Sequence, residues 1–569
     1  MKEPNFSFVA IMKNEANTLP RLFQSLKPIL DRGVEFVIID TGSTDSSAVI
    51  ARALGAIVHE VGDRFMEHIP KETADMINKE FVVDDEPNVV SGGNKLFNYA
   101  EARNYVTSLA SNNFVFTLDC DEAYSTFDID YIINLIDIGH TQFEYEFVYA
   151  HDPTGKPAVQ FIQSKAYDRR YAQWVGKVHE VLQSTGFGES KIYYIPQHYI
   201  KLEHWQEPNK EHRGNYLPGL ALDCFLHKNN DRNSHYFARE MMYTGRYKSA
   251  IKEFTRHIGF NAWVQEKAQS MIFIGDCYGY LGDFAKQVEW YNTAFFNDSS
   301  RREALIKLAE AYRKAGNWYA VAAHASGSLQ IPFNSYYAND GNMYTFRPYE
   351  LLYEAQGWIG NIEGAQKSLL KCLEYQPLNP KYLYDTRYFF EYPSSMVDGW
   401  MTFEEQTFLY NLAKKYNGGK IAEIGSWKGR SSQALLTGNK DGQVFCIDTW
   451  KGSIDERDST NWMAKQEDVF AQFQENTKNF TNLSIVKLES VKAAEMFEDN
   501  YFDVVFVDAG HDYKSICDDI DAWLLKVKKG GVFCGHDYMP DTWQSIIEAV
   551  DEKLGKPDEV HGTVWVKYV

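Results

Sequence analysis

The chain has 569 residues, 44% of them apolar and 24% charged, and this length excludes a single hydrophobic core and predicts three or four domains. Its formal net charge of −20 argues against a general nucleic-acid binder, because such proteins need Lys and Arg to displace counterions. No apolar run approaches the ~18 residues of a transmembrane helix, and the 7 cysteines include no CxxC pair, so we expect a cytoplasmic protein.

Residues 1–215 alternate short apolar strands with helical stretches, which is the pattern of an α/β domain. Strands are predicted at 6–12, 35–40, 56–61 and 114–118, and helices at 18–30 and 46–54. The strand at 114–118 runs into Asp119-Cys-Asp121-Glu122. Two carboxylates at a strand end could hold a divalent cation, although a solvated turn explains the same run.

Several polar motifs follow one another in this part of the chain. In chain order they are Asn14-Glu15, Asp40-Thr-Gly-Ser-Thr-Asp45, Glu101-Ala-Arg103-Asn104, the acidic run at 119–122, Trp174-Val-Gly-Lys-Val-His179-Glu180, and His204. The set resembles glycosyltransferase family 2, which has the GT-A fold, and especially its branch fused to tetratricopeptide repeats.

The resemblance implies that this domain binds a nucleotide-sugar donor. The implied donor-binding residues are Asn14, Glu15, Asp40, Arg103 and Asp119. Among them, Asp40 would bind the nucleoside and Arg103 would contact the diphosphate.

The resemblance also implies a metal and a catalytic base. Asp121 together with Asp119 would hold Mn²⁺ or Mg²⁺, and His204 would be a further metal or diphosphate contact. Glu180 would be the general base, giving inversion at the anomeric carbon, with Glu122 as a competing candidate. Taken alone, His204 is equally well explained as a packed, hydrogen-bonded side chain.

A polar stretch at 63–94, with Gly92-Gly93 near its end, is longer than the family's usual connection. It could be a lid or an acceptor loop, and a tolerated insertion is an equally good explanation.

Residues 216–395 are predicted to be helical, with one turn motif used four times. Its glycines are Gly245, Gly282, Gly316 and Gly360, spaced 37, 34 and 44 residues apart, near the ~34-residue period of helical-hairpin repeats. The segment resembles tetratricopeptide repeats. Their concave face could bind the acceptor or a protein partner, or the repeats could be a spacer or dimer surface.

Residues 396–569 return to the α/β pattern. Strands are predicted at 420–424, 443–448, 483–487, 503–508 and 531–535, with a final pair around Trp565. The first strand leads into Glu423-Ile-Gly425-Ser426-Trp-Lys-Gly429, a glycine turn whose backbone can approach a ligand at a helix N-terminus. Asp448 ends the next strand, 23 residues beyond Gly425, where an acid suits a ribose diol or caps a helix.

Two later strand ends carry acids with neighbouring histidines, namely Asp508 with His511 and Asp537 with His536. Carboxylates and imidazoles that converge at a sheet edge suit Mg²⁺ together with a proton acceptor. This set resembles class I S-adenosylmethionine-dependent methyltransferases, in particular the macrocin O-methyltransferase-like group.

That resemblance implies a Rossmann-like fold that binds S-adenosylmethionine. The implied cofactor-binding residues are Glu423, Gly425, Ser426, Gly429 and Asp448. Asp508 and Asp537 could hold Mg²⁺, and His511 would be the base, although the two histidines could instead hydrogen-bond within the fold.

The sequence thus predicts a multidomain, bifunctional enzyme with a GT-A domain at 1–215, tetratricopeptide-like repeats at 216–395 and a methyltransferase domain at 396–569. It would add a sugar to a glycan, lipid-linked or protein acceptor and O-methylate a sugar hydroxyl. The alternatives are a repeat-based scaffold with degenerate enzyme domains, or a nucleic-acid-modifying glycosyltransferase or methyltransferase, with nucleic acid the less expected substrate.

Overall fold

A computed structural model describes residues 3–83, 85–151, 155, 157–205, 216–334, 337, 340–453, 455, 458–540 and 542–569. The chain forms two compact units, residues 1–355 and 356–569. The predicted repeat domain at 216–395 contributes to both units, so the division into three domains remains a prediction.

The first unit begins with a mixed β-sheet and two short ribbons. The strands are β1 Phe6–Met12, β2 Phe36–Asp40, β3 Ile57–Glu60, β4 Met66–His68, β5 Lys95–Phe97, β6 Phe114–Asp119, β7 Glu122–Phe127, β8 Gln142–His151, β9 Pro157–Asp168, β10 Ala172–Val175, β11 Val181–Ser184, β12 Ile192–Ile195 and β13 Ile200–His204. The main sheet has the order β3-β2-β1-β6-β9-β8-β13-β7, with β12 beside β8. The pairs β4-β5 and β10-β11 form separate two-stranded ribbons.

The helices of this part of the chain are α1 Leu19–Leu30, α2 Ser47–Ala53, α3 Lys71–Phe81, α4 Tyr99–Leu109 and α5 Ile129–Asp137. All of them except α3 cover the faces of the parallel strands β2, β1 and β6. Successive strand residues point to opposite faces, so Phe8 packs in the core under α1 while Val9 packs with Ala102 and Val106 of α4. The strands are therefore buried on both sides, and their carboxyl ends meet at one edge.

A run of helical hairpins follows the sheet. Its helices are α6 Tyr216–Leu226, α7 Asp231–Tyr243, α8 Tyr247–Ile258, α9 Val264–Tyr280, α10 Phe284–Asn297, α11 Glu303–Lys314, α12 Trp318–Ser328 and α13 Phe346–Trp358. The four repeated glycines all have left-handed backbones, with φ between +73° and +81°. The N–H after each glycine bonds to the carbonyl five residues earlier, which ends the first helix of the hairpin. The predicted helical repeat pattern is confirmed.

Described residues of the polar stretch at 63–94 contribute to a buried core. Helix α3 buries Ala74, Ile77 and Phe81 in the same cluster as apolar residues of α6, α7 and α8. The Glu86 carboxylate accepts the backbone N–H groups of Lys248 and Ser249 at 2.8 and 2.9 Å, at the start of α8. This segment therefore joins the sheet to the first repeats.

The second unit contains a second, separate sheet. Its strands are β14 Lys420–Ile424, β15 Gln443–Ile447, β16 Leu483–Val486, β17 Phe502–Val507, β18 Val527–Gly535, β19 Glu559–His561 and β20 Val564–Tyr568. Its helices are α14 Ile362–Tyr375, α15 Pro380–Asp385, α16 Phe403–Lys415, α17 Arg430–Gly438, α18 Ser459–Gln466, α19 Val469–Thr477, α20 Ser490–Ala494, α21 Tyr513–Trp523 and α22 Gln544–Leu554. The strand order is β16-β15-β14-β17-β18-β20-β19, parallel through β18 and antiparallel from β18 to β19. The strand order reverses between β14 and β17, which makes that place the switch point where open α/β sheets bind ligands.

The predicted α/β and helical composition of the chain is confirmed, and the assignment of residues 1–215 to the GT-A fold remains a prediction. In the described ranges, no helix combines the length and apolar character needed to cross a bilayer. All seven cysteines lie in the described part of the chain, and they are buried and form no disulfide bonds.

Candidate active sites

The parallel strands of the first unit bring two predicted acids to one sheet edge. Strand β1 lies between β2 and β6, with Met12 opposite Asp40 and Ile11 opposite Asp119. Two strand spacings place the backbones of Asp40 and Asp119 about 10 Å apart. The predicted nucleoside and acidic-pair positions therefore share one edge.

Hydrogen bonds connect the turns after β1 and β2. The Asp40 carboxylate accepts the backbone N–H and the hydroxyl of Ser43 at 3.0 and 2.6 Å. Asn14, in a left-handed conformation with φ +55°, accepts the Thr44 N–H at 2.7 Å. Glu15 follows, and its carbonyl accepts the first N–H of α1 at 3.1 Å. These bonds fix the two turns relative to each other.

A buried network of alternating charges surrounds Asp119. The Arg103 Nε donates to Glu180 at 2.5 Å, and its Nη2 donates to Asp119 at 2.8 Å. Lys165 of β9 donates to the other Asp119 oxygen at 2.8 Å and also bonds Glu122. Burial raises the pKa of Asp119, but Arg103 and Lys165 outweigh it and hold that pKa well below its usual range. Arg103, Asp119 and Glu180, predicted from separate motifs, are thus in direct contact.

Burial raises the pKa of Glu122, whereas Lys165 opposes the rise. The Arg103 Nη1 is buried and makes no hydrogen bond to any described residue. Lys165 is absent from the sequence prediction, because a single Lys in a strand carries no motif.

Asp121 and His204 also lie together. The His204 Nε2 is 3.3 Å from an Asp121 oxygen, and its Nδ1 is 3.1 Å from the Tyr149 carbonyl oxygen. Burial lowers the pKa of His204, but Asp121 outweighs it, so that pKa is raised above its ordinary value. The pairing joins the end of β13 to the acidic turn after β6, as one shared site requires.

The second unit aligns four predicted positions across its sheet. Ile424 pairs with Ile447 and with Val507, and Val507 pairs with Gly535. The next residue on each strand is therefore Asp448, Gly425, Asp508 and His536, in that spatial order. The carboxyl ends of β15, β14, β17 and β18 carry one continuous row of candidate site residues.

Gly425 must be glycine for two reasons. Its φ is +90°, a left-handed value, and a Cβ there would come within 1.9 Å of the Asp508 carbonyl oxygen. Gly429 is also left-handed, with φ +96°, and precedes α17. The turn therefore brings the backbone after β14 directly against the end of β17.

Glu423 lies near the end of β14, next to this turn, and has no exposed surface. Its carboxylate accepts the hydroxyls of Ser426 at 2.7 Å and Ser431 at 2.5 Å, and also that of Ser432. Burial raises the pKa of Glu423, while the three serine hydroxyls oppose the rise. The predicted cofactor ligand Glu423 is thus occupied with ordering the turn and the start of α17.

Asp448 binds two backbone groups. It accepts the N–H of Trp427 at 2.8 Å and that of Trp450 at 2.6 Å. The Trp450 indole N–H donates to the Trp427 carbonyl at 2.8 Å. The Trp427 indole nitrogen is buried without a hydrogen-bond partner among the described residues. Asp448 thus holds the glycine turn beside the loop after β15.

The acids after β17 and β18 form a cluster with a histidine. Asp508, His536 and Asp537 each place one potential metal-ligand atom within 4.8 Å of the others. Burial raises the pKa of Asp508 to about 6. His536 also lies 3.4 Å from Glu405 of α16, a residue that no sequence motif pointed to.

His511 lies between two carboxylates. Its Nδ1 is 2.8 Å from Asp458 and its Nε2 is 3.1 Å from Asp537. Burial lowers the pKa of His511, but these two carboxylates outweigh it and raise that pKa to about 10. His511 is therefore protonated at neutral pH in this arrangement, which does not suit the predicted role of base. Asp458 also caps α18 and carries no sequence signal for this contact.

Comparisons with known proteins bear on the second unit most directly. Residues 422–538 match the family model described as a methyltransferase domain. A similar solved structure is an S-adenosylmethionine-dependent O-methyltransferase from Thermotoga maritima, 17% identical with a TM-score of 0.21, over 27% of this chain and 51% of that one.

Two helical-repeat structures are also similar. MamA from Desulfovibrio magneticus RS-1 is 12% identical with a TM-score of 0.23, over 27% of this chain and 80% of that one. The tetratricopeptide-repeat protein YrrB is 10% identical with a TM-score of 0.24, over 29% of this chain and 79% of that one. No curated protein matches the chain. The family match accordingly identifies a methyltransferase domain in residues 422–538.

Proposed function

We propose that the chain is a bifunctional enzyme, in which residues 396–569 O-methylate a sugar hydroxyl and residues 1–215 transfer a sugar from a nucleotide donor. The observation that carries the first activity is the row of Asp448, Gly425, Asp508 and His536 at the sheet switch point, within the matched methyltransferase segment. The proposed acceptor is a glycan, a lipid-linked sugar or a glycosylated protein.

The residues at this edge fit S-adenosylmethionine. The backbone of Gly425, Ser426 and Gly429 forms a turn that leads into α17, and a helix N-terminus is a place where main-chain N–H groups can bind a ligand. The unpartnered Trp427 indole N–H offers a further donor. We assign Asp448 to hold the turn and to face the ribose hydroxyls. The cofactor supplies an electrophilic methyl group on a sulfonium.

Methyl transfer to a hydroxyl requires an aligned acceptor that loses a proton. His511 already holds its proton between Asp458 and Asp537, so we move the proposed base to Asp508. Burial raises the pKa of the Asp508 carboxyl above its ordinary value, which makes it a stronger base than an exposed carboxylate.

The same cluster fits a divalent cation. Two carboxylates and one imidazole, from Asp508, Asp537 and His536, are a plausible donor set for Mg²⁺. A cation held there would lower the pKa of a sugar hydroxyl. Methyl transfer that persists after metal chelation would indicate that Asp508 acts as the base without a bound cation.

The glycosyltransferase half of the proposal rests on Arg103. This arginine is buried against Asp119 and Glu180, and its Nη1 has no partner among the described residues. A donor phosphate oxygen would satisfy that nitrogen through a charge-assisted hydrogen bond. We assign Glu180 as the base toward the acceptor and Asp119 as the group that positions Arg103.

Asp121 and His204 are the proposed ligands of Mn²⁺ or Mg²⁺ at this site, since they lie 3.3 Å apart. Asp119 does not fit as a ligand, because Arg103 and Lys165 bind its two oxygens.

Two assays on the full chain test the two halves independently. Calorimetry with S-adenosylmethionine should report binding in the native chain and in Asp121→Asn. A panel of nucleotide sugars with Mn²⁺, read by mass spectrometry, should report donor hydrolysis in the native chain and in Asp508→Asn but not in Asp121→Asn. Absence of cofactor binding would overturn the first half, and absence of hydrolysis with every donor would overturn the second.

A further inference from the structure

One face of α7 carries two arginines around a tyrosine. Arg232, Tyr236 and Arg239 are four and three residues apart, so they lie on the same side of the helix. The guanidinium carbons of Arg232 and Arg239 are 4.7 and 4.5 Å from the Tyr236 ring centre. Both arginines are only partly exposed.

These arginines lack the partners that other cations of the repeats have. Their Nε atoms are buried and make no hydrogen bond to the described part of the chain, and the ion pair of Arg239 with Glu240 is long, at 3.8 Å. By contrast, shorter ion pairs join neighbouring helices at Lys307–Asp276 (3.1 Å), Arg313–Glu354 (2.6 Å) and Arg347–Glu310 (2.6 Å). A partly buried guanidinium without a carboxylate is costly unless an anion binds it.

The pair adjoins the proposed glycosyltransferase site. The His179 ring stacks on Tyr236 with ring centres 4.5 Å apart and planes 15° apart. His179 has a left-handed backbone, with φ +52°. The next residue, Glu180, is the proposed base and accepts from Arg103 at 2.5 Å. A group bound by Arg232 and Arg239 would therefore lie close to the base that receives the acceptor proton.

The cations of this face affect a buried histidine beside it, in a chain whose net charge is −20. His235, next to Tyr236, has its pKa held well below the ordinary value by burial first and then by His257, Arg239, Arg232 and His179. The buried acids on the neighbouring helices face other cations, because Glu253 is bound by Arg256 and Glu266 lies 3.6 Å from His257.

We propose that Arg232 and Arg239 bind a phosphate group carried by the glycosyltransferase acceptor. Two guanidinium forks match the charge of a phosphate better than that of one carboxylate, and they can bind its oxygens in pairs. The assignment of this phosphate to the acceptor rests on the proposed function, whereas the phosphate site itself does not.

Inorganic phosphate titrated into the full chain and followed by ³¹P NMR tests the site. The double variant Arg232→Gln/Arg239→Gln should weaken binding at this site by about tenfold or more. Arg232→Lys/Arg239→Lys, which keeps the charge but loses the forks, should lie in between. Arg64→Gln is the matched control, because Arg64 also stacks on a tyrosine, 4.1 Å from the Tyr105 ring centre, and should bind as the native chain does.

Unchanged phosphate binding in the folded Gln or Lys variants would overturn the inference. Metal-stimulated donor hydrolysis should be measured in the same variants. It should persist, because no described contact joins Arg232 or Arg239 to the Arg103 network, and it therefore tests the proposed function independently of phosphate binding. Hydrolysis absent from the native chain would remove the proposed function and leave the phosphate site standing.

Two acceptor sources share this chemistry. A lipid-linked phosphate in detergent micelles and a phosphoserine peptide should each be tested for displacement of inorganic phosphate. Displacement by either, lost in the Gln variant, supports the acceptor assignment and identifies the source. Displacement by neither would overturn that assignment.

Discussion

Replacing Gly425 with alanine tests the geometry on which the methyltransferase assignment depends. The left-handed backbone, with φ +90°, costs an L-residue about 1–2 kcal/mol. The added Cβ would also lie 1.9 Å from the Asp508 carbonyl oxygen, and relieving that overlap by shifting backbone costs a further ~1–3 kcal/mol. We therefore expect Gly425→Ala to destabilise the second unit by about 2–5 kcal/mol.

Gly418→Ala is the matched control in the same unit. Its φ is +88°, but a Cβ there meets nothing within 4 Å, so only the backbone cost should remain. Gly425→Ala should therefore be less stable than Gly418→Ala by about 1–3 kcal/mol. For a unit of this size, that difference lowers the Tm of Gly425→Ala by roughly 2–12 °C relative to Gly418→Ala. Differential scanning calorimetry measures it, and S-adenosylmethionine titration should give weaker binding for Gly425→Ala alone. Equal stability and equal cofactor affinity in the two variants would refute the close-approach argument.

Three further predictions follow from buried charges. Glu423→Gln leaves three serine hydroxyls without a carboxylate and should destabilise the second unit by about 1–3 kcal/mol. Calorimetry should also show weaker cofactor binding, and unchanged affinity would mean that the turn keeps its conformation without the Glu423 carboxylate. Lys165→Met leaves Glu122 buried without its cation, while Asp119 keeps Arg103. The variant should cost about 3–5 kcal/mol in denaturant unfolding, and a neutral result would contradict the charge network. Burial raises the pKa of Asp519 to about 6, above the ordinary value of 3.8. The stability that the protonated carboxyl contributes is therefore fully present below about pH 4 and is lost as the pH rises through 6. Asp519→Asn should therefore lose less stability than the native chain between pH 4 and 7, and parallel pH profiles would contradict this.

Local sequence patterns predicted closely the parallel strands that carry the candidate sites, because each is a continuous apolar run with a polar end. They did not predict the strands of the first unit from β7 onward. β1 and β14 have the predicted bounds, and the repeated glycines end helices as expected. Strand order then placed Asp448, Gly425 and Asp508 in one row without any side-chain information.

Contacts between distant segments were not predictable. Asp458 reaches His511 from the start of α18, and Lys165 reaches Asp119 from an antiparallel strand. Neither lies in a motif, yet together they determine which groups are charged. The packing of segment 63–94 was not predictable either, because its few apolar residues are buried against distant repeat helices.

The most direct test of the bifunctional account uses the native chain, a sugar acceptor, the preferred nucleotide sugar and S-adenosylmethionine carrying a deuterated methyl group. Mass spectrometry should detect one added sugar with the nucleotide donor, and an added deuterated methyl on a sugar hydroxyl only when the cofactor is present. Asp121→Asn should abolish the first addition, and Asp508→Asn the second. A chain that binds S-adenosylmethionine but transfers neither group to any acceptor in the panel would contradict the account.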